Sequence, residues 1–486
     1  MKSKFTKLRL LAATAAMGAG LLAAPAANAA LEIVIFNGNA AGVGFNDATP
    51  VAPVGGNPGT TLGEQRQIAF VFAADKWGET LTSDIEVRIF ARFSALTCTA
   101  TGAVLGSAGA TEVFSDFPNA PIAGTWYSGA LADKLAGEDL HPFDNTTASV
   151  DINANFNVNL GNPGCLTGIP FYLGLDNNHG PLVDFVTVLT HEMGHGLGFQ
   201  TFTSGTTGQY LGFPEIPQPA VWDHFLYDNV TGLNWAQMLP AQRVTSAIGG
   251  DKLVWHGLTV KNAAPQVLLG IPRAIISGPA AGSTAGTYTV GTASFGPSLT
   301  VAGVSGDVMP VSNGGAAGDA CVAFSAADKA AVNGNIALIN RGVCGFTIKV
   351  LNAQLAGAKG VIIADNVAGS PPPDLGGTDP AITIPAVRIT LGDATTLRTA
   401  LTKRSRTKSG VTATLSRNPT VLSGTDALGF VKVYTPNPFQ GGSSVSHYDV
   451  SASRNLLMEP AINGDLTHEV MAPFDLTYEL FKDIGW

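Results

Sequence analysis

Leu182, Val186, Leu189, Met193 and Leu197 recur at a spacing that places them within roughly an 80° arc when the chain is wound at 100° per residue. The stretch from Leu182 to Gly198 is therefore predicted to be a helix with one apolar face. His191 and His195 point the other way. One helical turn separates them, so both imidazoles can reach a single ion, and Glu192 sets a carboxylate beside them. Gly198 falls where a helix C-terminus often places a glycine, while Gly194 and Gly196 remove bulk around the histidines at a cost in helix propensity. That cost points to close backbone packing at the same place.

The chain has 486 residues, and at ~150 residues per folding unit this length predicts two or three domains. Hydrophobic residues make up 45% and charged residues 13%, which excludes a highly charged disordered chain. A net charge of −9 gives no general attraction to nucleic acid or to anionic lipid, and neither partner is predicted. Lys2, Lys4, Lys7 and Arg9 precede an apolar run from Leu10 to Ala24, and Ala27-Asn28-Ala29 follows as a small-residue cleavage site. Residues 1–29 are thus predicted to be a signal peptide, because the run is shorter than the ~20 apolar residues that a membrane span requires. Secretion permits disulfides among Cys98, Cys165, Cys321 and Cys344. Pairing within each sequence couple is the simplest of three connectivities, and the sequence does not choose among them. None of the four has the short spacing of a zinc-ligand cysteine pair.

Thr61-Leu62-Gly63-Glu64 is a capping-box pattern that introduces a predicted helix from Gln65 to Trp77. Asp84 to Ala95 has the composition of a strand. Val150, Ile152, Ala154 and Phe156 alternate with Asp151, Asn153, Asn155 and Asn157, which predicts a strand with one wet face. From about Pro265 to Arg417 the composition shifts to Gly, Ala, Thr, Ser and Val with many turn-bounded short strands, the pattern of a separate β-rich domain. Within it, Ile336 to Ile339, Thr347 to Ala356 and Val361 to Ala364 predict a β-α-β unit. Pro371 to Pro373 reads as a surface spacer.

Zinc is the natural occupant of the two-histidine helix, because it takes neutral imidazole nitrogens, and a catalytic site adds a third protein ligand while leaving a position to water. Glu192 is then the candidate general base and acid. The remaining histidines, His141, His179, His224, His256, His447 and His468, compete with Asp223 for the third place. Asp184 lies about two turns before His191 and serves either to orient a ligand histidine or as an ordinary acid at the helix start.

His191 to Phe199, His-Glu-Met-Gly-His-Gly-Leu-Gly-Phe, resembles the active-site helix of metzincins, particularly the leishmanolysin type. The common pattern would place a third histidine at Thr201, which is not a plausible ligand. In leishmanolysin-like enzymes that histidine lies beyond an insertion, and Ser446-His447-Tyr448 followed by Leu457-Met458-Glu459-Pro460 is similar to that arrangement. The resemblance implies His447 as third zinc ligand, Met458 beneath the metal, and a secreted endopeptidase acting on proteins or peptides without a covalent intermediate. It also implies that substrate adds along an edge strand, for which Val150 to Asn157 is the candidate. Tyr448 is expected either to donate to a developing oxyanion or to pack beneath the site, with Asp449 and Glu459 as hydrogen-bonding residues of the same turn region.

Ala320-Cys321, Ile339-Asn340-Arg341-Gly342, Cys344-Gly345-Phe346, Ala356 to Gly360 and Ile384-Pro385-Ala386-Val387 resemble a protease-associated (PA) domain. The architecture implied is an α/β (α+β) metzincin-like domain formed by residues 30–264 and 418–486, interrupted by a PA domain at 265–417. One catalytic zinc is expected, and calcium, though compatible with such a fold, has no support in the sequence. The competing function is a non-catalytic secreted binding protein that captures a partner through the PA domain and keeps a structural or inactive metal site.

Overall fold

The computed structural model describes residues 29–142, 144, 149–212, 215–312 and 318–486, so the leader at residues 1–28 lies outside the described residues. The capping box forms as its residues predict. Thr61 Oγ1 accepts the Glu64 N–H at 3.2 Å, the Glu64 carboxylate accepts the Thr61 N–H at 3.1 Å, and helix α1 runs Leu62–Thr80.

This helix lies near a four-stranded sheet of β1 (Ile33–Asn37), β2 (Val87–Ser94), β3 (Gly106–Ala110) and β4 (Ile152–Asn157), in the order β1-β2-β4-β3. β1, β2 and β4 are mutually parallel, and β3 is antiparallel to β4. Ile152, Ala154 and Phe156 are buried, as their alternation requires. Two features of the predicted strand differ. Asp151 and Asn157 of the side predicted to be wet are buried, Asp151 accepting the Arg88 N–H at 2.7 Å and Asn157 donating its amide to the Val104 carbonyl at 2.8 Å, and β4 lies between β2 and β3 instead of at an edge. Period-two alternation reports which faces are apolar and carries no information about neighbours in the sheet. The edge is β3, whose Gly-Ser-Ala-Gly-Ala sequence has no alternation to detect.

Helix α2 spans Phe185–Leu197, starting three residues later than its apolar spacing predicts. Asp184 ends the preceding segment as N-cap, accepting the Thr187 N–H at 2.7 Å, while Val183 and Asp184 pair with Phe171 and Tyr172. A cap satisfies a free helix-end N–H only from extended backbone, which keeps Asp184 out of the helix. Phe185 then enters an aromatic cluster with Phe93 and Phe156, at centroid distances of 5.5 and 5.3 Å. The Trp77 indole N–H on α1 donates to the Thr190 carbonyl of α2 at 3.2 Å.

A second small sheet of Leu226–Asp228, Leu233–Asn234, Leu253–Trp255 and Val431–Lys432 is antiparallel. It adjoins helices α3 (Leu258–Val267) and α4 (Thr477–Ile484), which are tied to it where Trp255 donates to Asp483 at 3.0 Å. Val260, Ala263, Ala264 and Val267 of α3 join the same core as α2, so the compositional break at Pro265 falls inside a helix of that core.

Residues 270–422 form a separate eight-stranded mixed sheet, with Gly270–Ser277 paired to Thr412–Leu422 where the chain enters and leaves. At its centre Ile336–Asn340, helix Phe346–Leu355 and Gly360–Ala364 make the predicted β-α-β unit with parallel strands. Ile336 and Leu338 enter one core while Ala337 and Ile339 enter another on the opposite face, which is why this strand reads as an unbroken apolar run. Disulfides join Cys98 to Cys165 and Cys321 to Cys344, the pairing within each couple. Among the described residues no helix is long and apolar enough to cross a membrane.

Replacing Thr61 with Ala removes one side of the capping box and should cost about 1 kcal/mol. An unchanged urea midpoint would show that α1 does not depend on its cap.

Candidate metal centre

Helix geometry brings His191 and His195 onto one face of α2, and the returning chain brings His447 to the same point, 252 residues on from His195. The Nε2 atoms of His191 and His447 lie 3.1 and 3.2 Å from Nε2 of His195. Each opposite ring nitrogen faces a carbonyl oxygen. Nδ1 of His191 meets the Leu457 carbonyl at 2.7 Å, that of His195 the Phe199 carbonyl at 2.8 Å, and that of His447 the Ser443 carbonyl at 2.8 Å. A carbonyl only accepts, so each Nδ1 carries the proton and each Nε2 presents a lone pair. Three lone pairs then converge with no proton to share among them. This donor set fits a small cation that accepts imidazole nitrogen, and zinc is such an ion.

Burial reinforces the neutral state. Desolvation lowers His191 to a pKa of about 4, and desolvation together with neighbouring His191 lowers His195 to about 3. His447 is held well below its ordinary value by burial and by the other two rings. Among the described residues this is the one cluster of three such side chains close enough to hold an ion.

Glu192 is buried beside the triad, and desolvation pushes its pKa up to about 8 against the opposing hydrogen bond from the Ala108 N–H. Strand β3 fits tightly here, since a Cβ at Gly106 would come within 2.9 Å of Glu192 Oε1. Met458 is fully buried under α2, with Sδ 2.9 Å from where a Cβ at Gly194 would stand. Gly196 faces Ile152 of β4, whose side chain would meet a Cβ at 2.4 Å. The two glycines therefore let the helix approach Met458 on one side and the sheet on the other.

The third histidine is held from several directions. Val445, at φ 71°, takes a backbone conformation rare for a β-branched residue, and its carbonyl accepts the buried Trp222 indole N–H at 3.1 Å. Asp223 is not a ligand. It accepts the hydroxyl protons of Thr201, at 2.7 Å, and of Thr203, together with the Ala220 N–H at 2.9 Å. Thr201, where the common metzincin spacing would put a histidine, donates its N–H to Ser446 Oγ at 3.3 Å.

The remaining candidates lie elsewhere. His224 contacts Thr125 at 3.1 Å, His256 stacks on Tyr227, His141 pairs with Glu112 at 2.7 Å, and His179 contacts the Leu182 carbonyl at 2.8 Å. His468 meets Asp184 at 3.0 Å, so Asp184 caps the helix and does not orient a ligand. The Tyr448 hydroxyl donates to the Leu476 carbonyl at 3.1 Å in the core, which removes it as an oxyanion donor and leaves its packing role against Phe199. Asp449 accepts from the Ser451 N–H at 2.9 Å and Glu459 from the Leu456 N–H at 2.9 Å, both within the turn region. Asp475 carries a task that no motif announces. It accepts the Leu457 N–H at 2.6 Å, and Leu457 in turn accepts from His191.

A cleft of about 870 Å³ opens over the triad, with Leu105, Val188 and Ile462 among its apolar lining and Gln200, Ser204 and Ser443 among its polar lining. Residues 304–397 match the family model of the PA domain, and that domain is present here. No curated protein matches the chain. Similar solved structures include an aminopeptidase from Aneurinibacillus sp. strain AM-1, 26% identical over 32% of each chain at a TM-score of 0.23. A zinc aminopeptidase from Bacillus subtilis is 24% identical over 33% of this chain and 36% of its own, at a TM-score of 0.21. A psychrophilic subtilisin-like protease from the Antarctic Pseudoalteromonas sp. AS-11 is 21% identical over 31% and 34%, also at 0.21. The chain thus spans about a third of the length of the solved structures it matches.

Gly196→Ala should destabilise the protein by about 1–3 kcal/mol despite the better helix propensity of alanine, because stiff Ile152 in a central strand cannot yield. Higher stability in urea unfolding would contradict that packing.

Proposed function

We propose that the chain is a secreted, leishmanolysin-like metzincin, a zinc-dependent endopeptidase whose catalytic unit is assembled from residues 30–264 and 418–486 on either side of an inserted domain at 265–417. The observation that carries this reading is the convergence of three proton-free Nε2 atoms beside a buried carboxylate. His191, His195 and His447 would hold the ion, with Met458 packed beneath. When bound, zinc supplies Lewis acidity, lowering the pKa of water to ~7 and polarising a carbonyl.

The chain's own residues supply the proton transfers. Glu192, ionised and buried beside the three rings, takes a proton from water as the water oxygen attacks the peptide carbonyl carbon, and delivers that proton to the amine nitrogen as the C–N bond breaks. Water is consumed, and one acid and one amine leave. No side chain becomes acylated.

An extended substrate would lie along β3. Ser107 opposes Asn155, Leu105 accepts from Asn157, and Thr111 donates to Asp151, so the odd-numbered residues bond to β4. The N–H and C=O groups of Gly106, Ala108 and Ala110 then face away from the sheet, and Glu192 takes the Ala108 N–H. Such an edge offers main-chain pairing to a peptide. Export is supported by the leader pattern and the two disulfides.

Glu192→Gln should retain stoichiometric zinc while lowering peptide turnover by ~10²–10⁴-fold. Near wild-type hydrolysis by the zinc-loaded variant would falsify the role of Glu192.

A further inference from the structure

Gln200 follows the zinc-site helix by two residues beyond its Gly198 cap and lines the cleft. Its side chain lies against β3, where a Cβ at Gly109 would stand 3.5 Å from Oε1 and 3.9 Å from Nε2. Nε2 is shielded from solvent and has no hydrogen-bond partner among the described residues. A buried amide donor left unpaired is costly, and such groups in native proteins call for a cause. No helix end, turn or metal ligand uses this one. Because no bond holds the amide, it can rotate toward an acceptor in the cleft without breaking any interaction.

The position identifies the acceptor. Glu192 lies against Gly106 and accepts the Ala108 N–H, and Gly109 is the next residue of β3. Counted from Gly106 at ~3.4 Å per residue, Gly109 is at most about 10 Å away, so Gln200 stands within one to three residues of Glu192 along an extended peptide paired to the same edge. Resting on the peptidase function proposed above, we propose that Gln200 is a substrate-binding residue that selects long, extended polypeptides. Its amide N–H donates to a main-chain carbonyl of the substrate within three residues of the scissile bond. The recognised chemistry is peptide backbone, so the selection concerns length and extension, not side-chain identity. Short peptides that end before this carbonyl gain nothing from it.

The test uses the full-length, zinc-loaded protein and a cleavable fluorogenic peptide found by mass spectrometry of digested library peptides. Two series lengthen that peptide one residue at a time, one on the N-terminal and one on the C-terminal side of the cleaved bond. In one series wild-type kcat/KM should rise about fivefold at one of the first three additions, a gain in the range of one neutral hydrogen bond and read mainly in KM. Gln200→Ala should abolish that step while matching wild type on the shortest substrates. Gln200→Glu, nearly isosteric but without the donor, should abolish it as well, and makes the same comparison if the alanine variant does not fold. An unchanged length dependence in both variants overturns the inference, as does an equal loss on substrates of every length. If zinc-loaded wild type cleaves no peptide at all, the peptidase reading itself fails.

Discussion

Three imidazole nitrogens that converge with their lone pairs facing one another repel unless a cation lies between them, and most of what surrounds the cleft serves to hold them there. Each ring is fixed through its far nitrogen by a carbonyl from a different part of the chain, at Leu457, Phe199 and Ser443. Those carbonyls choose the tautomer and the ring orientation, as the outer partners of histidine ligands do. Their own positions depend on further bonds, from the Leu457 N–H to Asp475 and from the Trp222 indole N–H to the carbonyl of Val445, two residues before His447. Burial of all three rings keeps them neutral well below the ordinary pKa of histidine. The same burial raises the Glu192 pKa, so one dry environment acts on the three rings and on the carboxylate beside them.

The long separation between His195 and His447 costs the fold little. The inserted sheet begins and ends on neighbouring strands, with Gly270 opposite Leu422, so the chain returns beside the place it left. Closure entropy grows only slowly with loop length, and a domain with its own apolar cores supplies its own stability. The neck also touches the metal-site region. Leu269 donates to the Ser453 carbonyl, Ser423 donates to the Leu269 carbonyl at 2.8 Å, and Gly424 has no room for a Cβ against Ala452. These contacts fall a few residues before Met458, and they tie the inserted domain to the segment that packs under α2.

Helix α2, its C-terminal glycine and its two histidines are legible in the sequence because a 3.6-residue period and a metal-ligand spacing coincide there. The start of the helix is less legible, since Leu182 satisfies the apolar spacing while the Asp184 side chain ends the preceding extended segment. His447 has no local signal that separates it from His224 or His256. Only its likeness to a Ser-His-aromatic segment followed by a methionine singles it out, because tertiary return across an insertion leaves no periodicity. Strand β3 is the clearest loss. Five small residues carry no apolar alternation, and their value lies in what they leave out, as at Gly106 against Glu192 and Gly109 against Gln200. The β-α-β unit of the insert was legible for the opposite reason, because strands buried on both faces must be apolar throughout.

Zinc-edge X-ray absorption on the purified, zinc-loaded protein and on its His447→Ala variant examines the convergence of the three rings most directly. The wild-type spectrum should contain the multiple-scattering signature of three imidazoles at ~2.0–2.1 Å and one further light ligand. The variant should show two imidazoles and a much faster loss of zinc to a chelator. A wild-type site with only two imidazoles, or an unchanged three-imidazole spectrum in His447→Ala, would contradict the assignment of His447 and the shared metal centre built on it.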